Sequence, residues 1–192
     1  CAPLPPLVVA NDTCGGAILI TQNPTCVPTA GDNAGAFVQA GPGCSGYAED
    51  DVWYKWVATS GAAIVEVTPS ASFNAVFEVW DACGGNQISC VDNAFTGGIE
   101  SAGVGVTPGN TYYVRVYDAG YFAPATTTFD ICVYDAPPSP PNDTCGGAIM
   151  LTQNATCIPT TGDVTGAILQ TGGPGCTGGT PDEDVWFAWV AT

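Results

Sequence analysis

Two groups of residues are placed to do chemistry: ten cysteines and an acidic triplet that occurs twice. Glu49, Asp50 and Asp51 run into Trp53, and Asp182, Glu183 and Asp184 run into Trp186. Carboxylates gathered in a loop are hard oxygen ligands. Calcium, which takes roughly six to eight oxygens, is the ion they would hold, with Asp32 or Asp92 and backbone carbonyls completing the shell. The alternative is a solvated acidic loop, since the spacing follows neither an EF-hand nor a calcium-binding nonapeptide repeat. Paired carboxylates also serve as acid and base in glycoside hydrolysis. Here they have no cationic neighbour and recur with each unit, so a glycosidase is set aside. No cofactor is required, and calcium is the one candidate.

The cysteines point to an oxidising compartment, because the cytosol would keep so many thiols reduced. Six belong to one stretch: Cys14, Cys26, Cys44, Cys83, Cys90 and Cys132. Cys83 and Cys90 flank Gly-Gly-Asn-Gln-Ile-Ser, whose Gly-Gly-Asn invites a tight turn, so a local hairpin bridge between them is expected. The remaining four pair either as Cys14 with Cys26 and Cys44 with Cys132, or as Cys26 with Cys44 and Cys14 with Cys132.

What is missing excludes several functions. With no histidine there is no Ser-His-Asp or Cys-His arrangement and none of the common zinc or haem sites. Eighteen acidic residues against two basic ones, Lys55 and Arg115, give a net charge of -16. Such a chain is repelled by nucleic acid and by anionic membranes. No apolar run approaches the ~20 residues of a membrane span. The hydrophobic share of 46% still suffices for a core.

The elements that must position these residues come in copies. NDTCGGAILITQNPTC at residues 11–26 returns as NDTCGGAIMLTQNATC at 142–157, an offset of 131. DDVWYKWVAT ending at Thr59 returns as EDVWFAWVAT ending at Thr192, an offset of 133. Cys1 precedes Cys14 by the same 13 residues that separate Cys132 from Cys145. The chain therefore divides into the tail of a preceding repeat with its linker (1–10), a complete repeat (11–135), a proline-rich linker (136–141) and the first part of another repeat (142–192). Proline-rich linkers favour extended polyproline II and act as semi-rigid spacers. Calling 11–59 the front part and 60–132 the back part, the chain owns two front parts and one back part, a count that exchange among identical copies cannot balance. Either the natural polypeptide is longer, which is the expectation, or the second front part packs against something other than a missing back part. The complete repeat carries 13 acids and both bases, and 142–192 carries five acids and no base, so each copy is acidic in its own right.

Period-2 alternation of β-branched and aromatic residues predicts strands at 17–21, 36–39, 52–59, 62–68, 75–81, 88–92, 99–106, 111–118 and 127–134. Their spacing predicts an all-β, antiparallel, jelly-roll-like sandwich of eight or nine strands per repeat. In 52–59, Trp53, Lys55 and Val57 oppose Val52, Tyr54 and Trp56, so the two tryptophans face opposite ways. The tryptophans are expected in the core or between domains. Any of Trp53, Trp56, Trp80, Tyr121 and Phe122 left exposed could stack on sugar rings. Asn11, Asn142 and Asn154 stand in N-x-Thr sequons, and Thr13 and Thr144 in Asp-Thr pairs, all candidate glycan attachment points.

In combination, NDTCGGAI, the acidic run into DVWYKWVAT, VWDACGGNQISCVDN, TPGNTYYVRVYD and FDICVYD resemble the tandem repeats of secreted and surface proteins of Bacteroidota. Those repeats look like the β-sandwich domains related to bacterial pre-peptidase C-terminal domains. The resemblance implies an extracellular repeat of large adhesin-like or structural polypeptides, often exported by the type IX route, with no enzyme active site. The expected function is a structural module of a surface adhesin or self-associating extracellular fibre; the alternative is a carbohydrate-binding module, calcium-dependent if the acidic triplet binds the ion.

Overall fold

A computed structural model describes residues 9–37, 43–122, 124–167 and 184–191. It divides into two compact units, residues 1–135 and 136–192.

The first unit is a sandwich of two five-stranded sheets. Its strands are β1 (Ile18–Leu19), β2 (Gln22–Asn23), β3 (Thr29–Asp32), β4 (Val52–Val57), β5 (Ala62–Pro69), β6 (Ala75–Trp80), β7 (Gln87–Val91), β8 (Glu100–Gly105), β9 (Thr111–Asp118) and β10 (Thr128–Asp135). One sheet runs β1-β4-β9-β6-β7. The other runs β2-β10-β5-β8, with β3 also paired to β10. The long pairings are antiparallel, whereas β1 lies parallel to β4 and β2 parallel to β10. A single segment, 18–23, thus edges both sheets. It is pinned where it crosses by Ile20, which is buried and whose N–H donates to the Lys55 carbonyl at 2.8 Å.

Strand alternation fills the space between the sheets. Tyr54 and Trp56 from β4, Tyr112, Val114 and Val116 from β9, and Phe77 and Val79 from β6 meet Val65, Val67, Phe129, Ile131 and Val133 from the second sheet. Trp56 stacks on Tyr112 at 5.3 Å and Phe73 on Phe129 at 5.7 Å. Removing a fully buried ring such as Trp56 from this core costs about 3–5 kcal/mol.

The structure departs from the expected strands in three places. Residues 29–32 (Thr-Ala-Gly-Asp) form β3 despite lacking apolar alternation, because β10 offers them a free edge. Ala36 and Phe37 are not strand, and residues 38–39 lie outside the described residues. The crossing segment supplies two short strands where one was expected, giving ten in the unit. A turn at Thr107–Asn110 precedes β9, with Gly109 at φ 86°, and Lys55 and Arg115 both lie within strands.

The disulfides differ most from expectation. Among the described residues they join Cys14 to Cys83, Cys26 to Cys132 and Cys44 to Cys90. Cys83 does not bridge to Cys90, and neither arrangement expected for Cys14, Cys26, Cys44 and Cys132 occurs. Cys83 sits in the β6–β7 turn, whereas Cys90 lies three residues into β7 beyond Gln87, opposite Glu78. At ~3.3 Å rise per residue that places it about 10 Å along the strand, too far for one disulfide. Each bridge instead ties the front part to the back part.

The second unit reproduces the start of the first. A turn of 3-10 helix at Cys145–Gly147 precedes β11 (Ile149–Leu151), which pairs parallel with β12 (Phe187–Trp189). The register matches β1 on β4: Ile18 faces Tyr54, and Ile149 faces Phe187.

Candidate functional site

The outer face of the first sheet, opposite the inter-sheet core, carries Trp53 on β4, Arg115 and Tyr117 on β9, and Val76, Glu78 and Trp80 on β6. A solvent-facing sheet surface would be lined with mobile polar chains. Here the stretch from Gly43 to Asp51 folds over it and is held down by the Cys44–Cys90 bridge. Gly46 permits the fold-over by adopting φ 60° where its backbone passes Ala119.

Beneath this cover lies a charged cluster. Arg115 Nε donates to Asp51 Oδ2 at 2.9 Å, and Nη1 reaches Glu78 Oε2 at 3.5 Å. Trp53 Nε1 donates to Asp51 Oδ2 at 2.9 Å and Trp80 Nε1 to Glu78 Oε2 at 3.0 Å. The guanidinium lies 5.9 Å from the Trp53 ring and 5.3 Å from the Tyr117 ring. Tyr117 donates to the Ser45 carbonyl, and burial pushes its hydroxyl up to about 12. Arg115 therefore pairs with its neighbour on β6, whereas among the described residues Lys55 makes no ion pair. Arg115 Nη2 is buried without a partner. The cluster glues the covering segment to the sheet and offers no path to solvent.

In the first copy the three carboxylates of the acidic triplet diverge instead of gathering as the expected calcium site would require. Asp51 is spent on Arg115 and Trp53. Asp50 turns the other way and accepts from Asn33 Nδ2 at 2.8 Å, while Glu49 is exposed. Asp32 closes a local turn by accepting from Ala34 N–H and Thr127 Oγ1, and Asp92 accepts from Ser45 Oγ. Among the described residues no three carboxylates bring ligand atoms within 4.8 Å of one another. Cys26, Glu66 and Cys132 do meet that spacing, but their two sulfurs are already bonded to each other. In the second copy Asp184 is half-buried, and Asp182 and Glu183 lie outside the described residues.

A cleft of about 250 Å³ opens beside Asp50, lined by Asn33, Glu49, Asp50, Tyr121, Phe122 and Thr127. Asn33 is buried; its amide donates to Asp50, and its Oδ1 has no hydrogen-bond partner. Burial raises the Asp50 carboxyl to about 6, opposed by the Asp118 N–H it accepts and reinforced by the charges of Asp118 and Asp51. On the rim Tyr47, Tyr121 and Phe122 form an exposed chain of edge-to-face contacts at 5.2 and 5.0 Å. Of the expected sugar-stacking residues, Tyr121 and Phe122 are thus presented. Trp56 and Trp53 are buried, and Trp80 packs on Trp53 at 6.3 Å. Asn33 and Tyr47 stood out in no sequence pattern, since neither belongs to a motif or an alternating strand.

The sequon asparagines divide in the same way. Asn11 is buried; its Nδ2 donates to the Trp53 carbonyl at 3.2 Å, and its own carbonyl accepts from Trp53 N–H at 2.8 Å. Asn142 makes the same two bonds with Trp186. These amides are occupied in the fold, so Asn11 and Asn142 act as structural clamps. Asn154, Thr13 and Thr144 are exposed.

A β-sandwich tied by three disulfides, with its polar cluster buried beneath a covering segment, is a module of an extracellular, oxidising environment. The chain belongs to the galactose binding domain-like family associated with type IX secretion, whose profile matches residues 10–131. Among solved structures it is similar to the pre-peptidase C-terminal domain of a collagenase from Bacillus anthracis, at 14% identity and a TM-score of 0.41, covering 61% of this chain and 93% of that one. It is also similar to PliG of Aeromonas hydrophila, a periplasmic inhibitor of g-type lysozyme, at 18% identity and a TM-score of 0.36, covering 61% and 96%. No curated protein matches it. Among the described residues no helix is long and apolar enough to cross a membrane.

Proposed function

We propose that the chain is a structural repeat module of a secreted surface adhesin or self-associating extracellular fibre. The observation that carries this reading is that all three bridges run from the front part to the back part, at sequence separations of 69, 106 and 46 residues. A module stapled in this way holds its shape where no chaperone or ATP can restore it. Bridges closing loops of this length add on the order of 2–4 kcal/mol each, and the acidic surface keeps neighbouring arrays apart until cations screen them. Electron microscopy of the native material tests the assembly: ordered fibres or surface arrays are expected, and a field of dispersed monomers under every salt condition rejects it.

The cleft favours a second reading, carbohydrate binding, because exposed aromatic rims beside buried amide and carboxylate groups suit the apolar faces and hydroxyls of sugars. The galactose-binding name of the family is in keeping with it. A glycan array without hits, repeated with and without calcium, eliminates this reading.

A further inference from the structure

The cleft beside Asp50 is shaped by a tight turn. Residues Asn33–Ala36 close on themselves through a hydrogen bond from Ala36 N–H to the Asn33 carbonyl at 3.0 Å, with Gly35 at φ 80°. The turn carries Asn33 inward, where it is 1% exposed. Its Nδ2 donates to the Asp50 carbonyl at 3.0 Å and to Asp50 Oδ2 at 2.8 Å, which uses both amide protons and leaves Oδ1 without a donor.

The polar side chains of the lining are thereby nearly all acceptors. Asn33 has only Oδ1 to offer, and ionised Glu49 and Asp50 accept without donating. The Thr127 hydroxyl already donates to Asp32 Oδ1 at 2.6 Å, so of the lining side chains only the Tyr121 hydroxyl is left to donate. Neither Lys55 nor Arg115 lines the cleft. Burial holds the Asp50 carboxyl up near 6, and Asp118 and Asp51 add like charge beside it. A neutral sugar brings ring and hydroxyl oxygens that need donors, and against such a wall they stay unpaired at a cost. A protonated amine brings three donors, no acceptor and the charge that this cleft lacks. The rim of Tyr47, Tyr121 and Phe122, with ring centroids 5.2 and 5.0 Å apart, gives an apolar surface wide enough for a sugar ring.

We propose that the cleft takes a sugar bearing a protonated amine, a ligand class that rests on the carbohydrate reading above. The ammonium donates to the Asp50 and Glu49 carboxylates, where charge-assisted bonds are strongest, and the apolar face of the ring lies on Tyr121 or Phe122.

The test is titration calorimetry of the full chain at physiological salt, which screens non-specific attraction to so acidic a chain. The probes are a tetramer of β-1,4-linked glucosamine, its fully N-acetylated form, a neutral glucose tetramer, and tetralysine, which carries the charge without the ring. The glucosamine tetramer is expected to bind, and each of the other three to bind more weakly by roughly 10- to 100-fold, the worth of one charged hydrogen bond. Asp50→Asn is expected to weaken the glucosamine tetramer by about as much and to leave the N-acetylated form unchanged, with a Cys44–Cys90 peptide and a melting temperature no lower than wild type reporting the fold. Glu49→Gln, at an exposed position, is a second variant expected to weaken the same probe. If the N-acetylated or neutral tetramer binds as tightly as the amine, the proposal falls and the carbohydrate reading stands. If none of the sugars binds, the proposal falls and the glycan array decides the carbohydrate reading separately. Tetralysine binding as tightly as the glucosamine tetramer, or affinity unchanged in both variants, also overturns it.

Discussion

Asp51 and Arg115 stand 64 residues apart in sequence and meet at 2.9 Å in a place closed to solvent. With Glu78 they form a buried cluster of two carboxylates and one guanidinium, the sole arginine of the chain. A lone cation between two acids is indispensable: without it both carboxylates are stranded in a medium that solvates them poorly. Arg115→Met is therefore expected to lower stability by about 3–5 kcal/mol, read as a fall in denaturation midpoint. Adding Asp51→Asn and Glu78→Gln to the same variant should restore a substantial part of the loss. If Arg115→Met unfolds at the wild-type midpoint, the cluster contributes nothing.

Asp50 sets a pH dependence of unusual sign. Its carboxyl titrates near 6 in the folded chain against 3.8 for the free group, chiefly because it is partly buried. Between those values the unfolded state releases a proton that the folded state keeps, so stability falls as pH rises from about 4 to about 6. Above 6 the loss is complete. Because Asp50 is partly open to water the effect is on the order of 1 kcal/mol. Asp50→Asn is expected to match wild type near pH 3.5 and to exceed it at pH 7, as measured by denaturation at both.

The clamp between Asn11 and Trp53 predicts that Asn11→Ala costs about 1–3 kcal/mol, since it leaves a buried carbonyl without its donor. Thr13→Val, at an exposed position whose side chain makes no cap hydrogen bond, should be neutral. Thermal melts of the two variants separate the outcomes. Intact mass of native material should show no glycan on the peptide bearing Asn11.

The disulfide pattern predicts three peptides in a non-reducing digest, pairing Cys14 with Cys83, Cys26 with Cys132 and Cys44 with Cys90. Cys44→Ser should also loosen the covering segment over Tyr117, exposing Arg115 to trypsin. A Cys83–Cys90 peptide in the wild type would contradict the pattern.

If the cleft takes sugar, Tyr121→Ala and Phe122→Ala should each weaken binding by roughly 5- to 100-fold, consistent with about 1–3 kcal/mol for a stacked ring, and leave the melting temperature unchanged. Titration calorimetry with any glycan found on an array measures the loss.

The sandwich was legible in the sequence because alternation records which side of a strand is wet. Val52, Tyr54 and Trp56 on one face and Trp53 on the other were read correctly for that reason. The disulfides were not legible. Pairing depends on which strands become neighbours, and the Gly-Gly-Asn after Cys83 describes a turn without revealing how far along β7 Cys90 lies. The acidic triplet misled for a related reason. Three consecutive residues entering a strand point in alternating directions, so Asp51 went under the cover while Asp50 went to the cleft. Asn33 escaped notice because a single asparagine in a loop carries no periodicity, and only the fold shows that its amide is buried.

The Cys26–Cys132 bridge has a mechanical consequence. Cys26 lies 15 residues after Asn11, and Cys132 lies three before Asp135, the last residue of β10. A pull on the two ends of the repeat is carried across this bond, bypassing the stretch between, whose ends are 106 positions apart. At ~3.5 Å per residue, complete unravelling would release only about 60 Å, against about 430 Å for the same stretch without the bridge. A string of such repeats would behave as a tether of low extensibility, one that transmits load through this covalent bond while the strands between Cys26 and Cys132 stay out of the line of force.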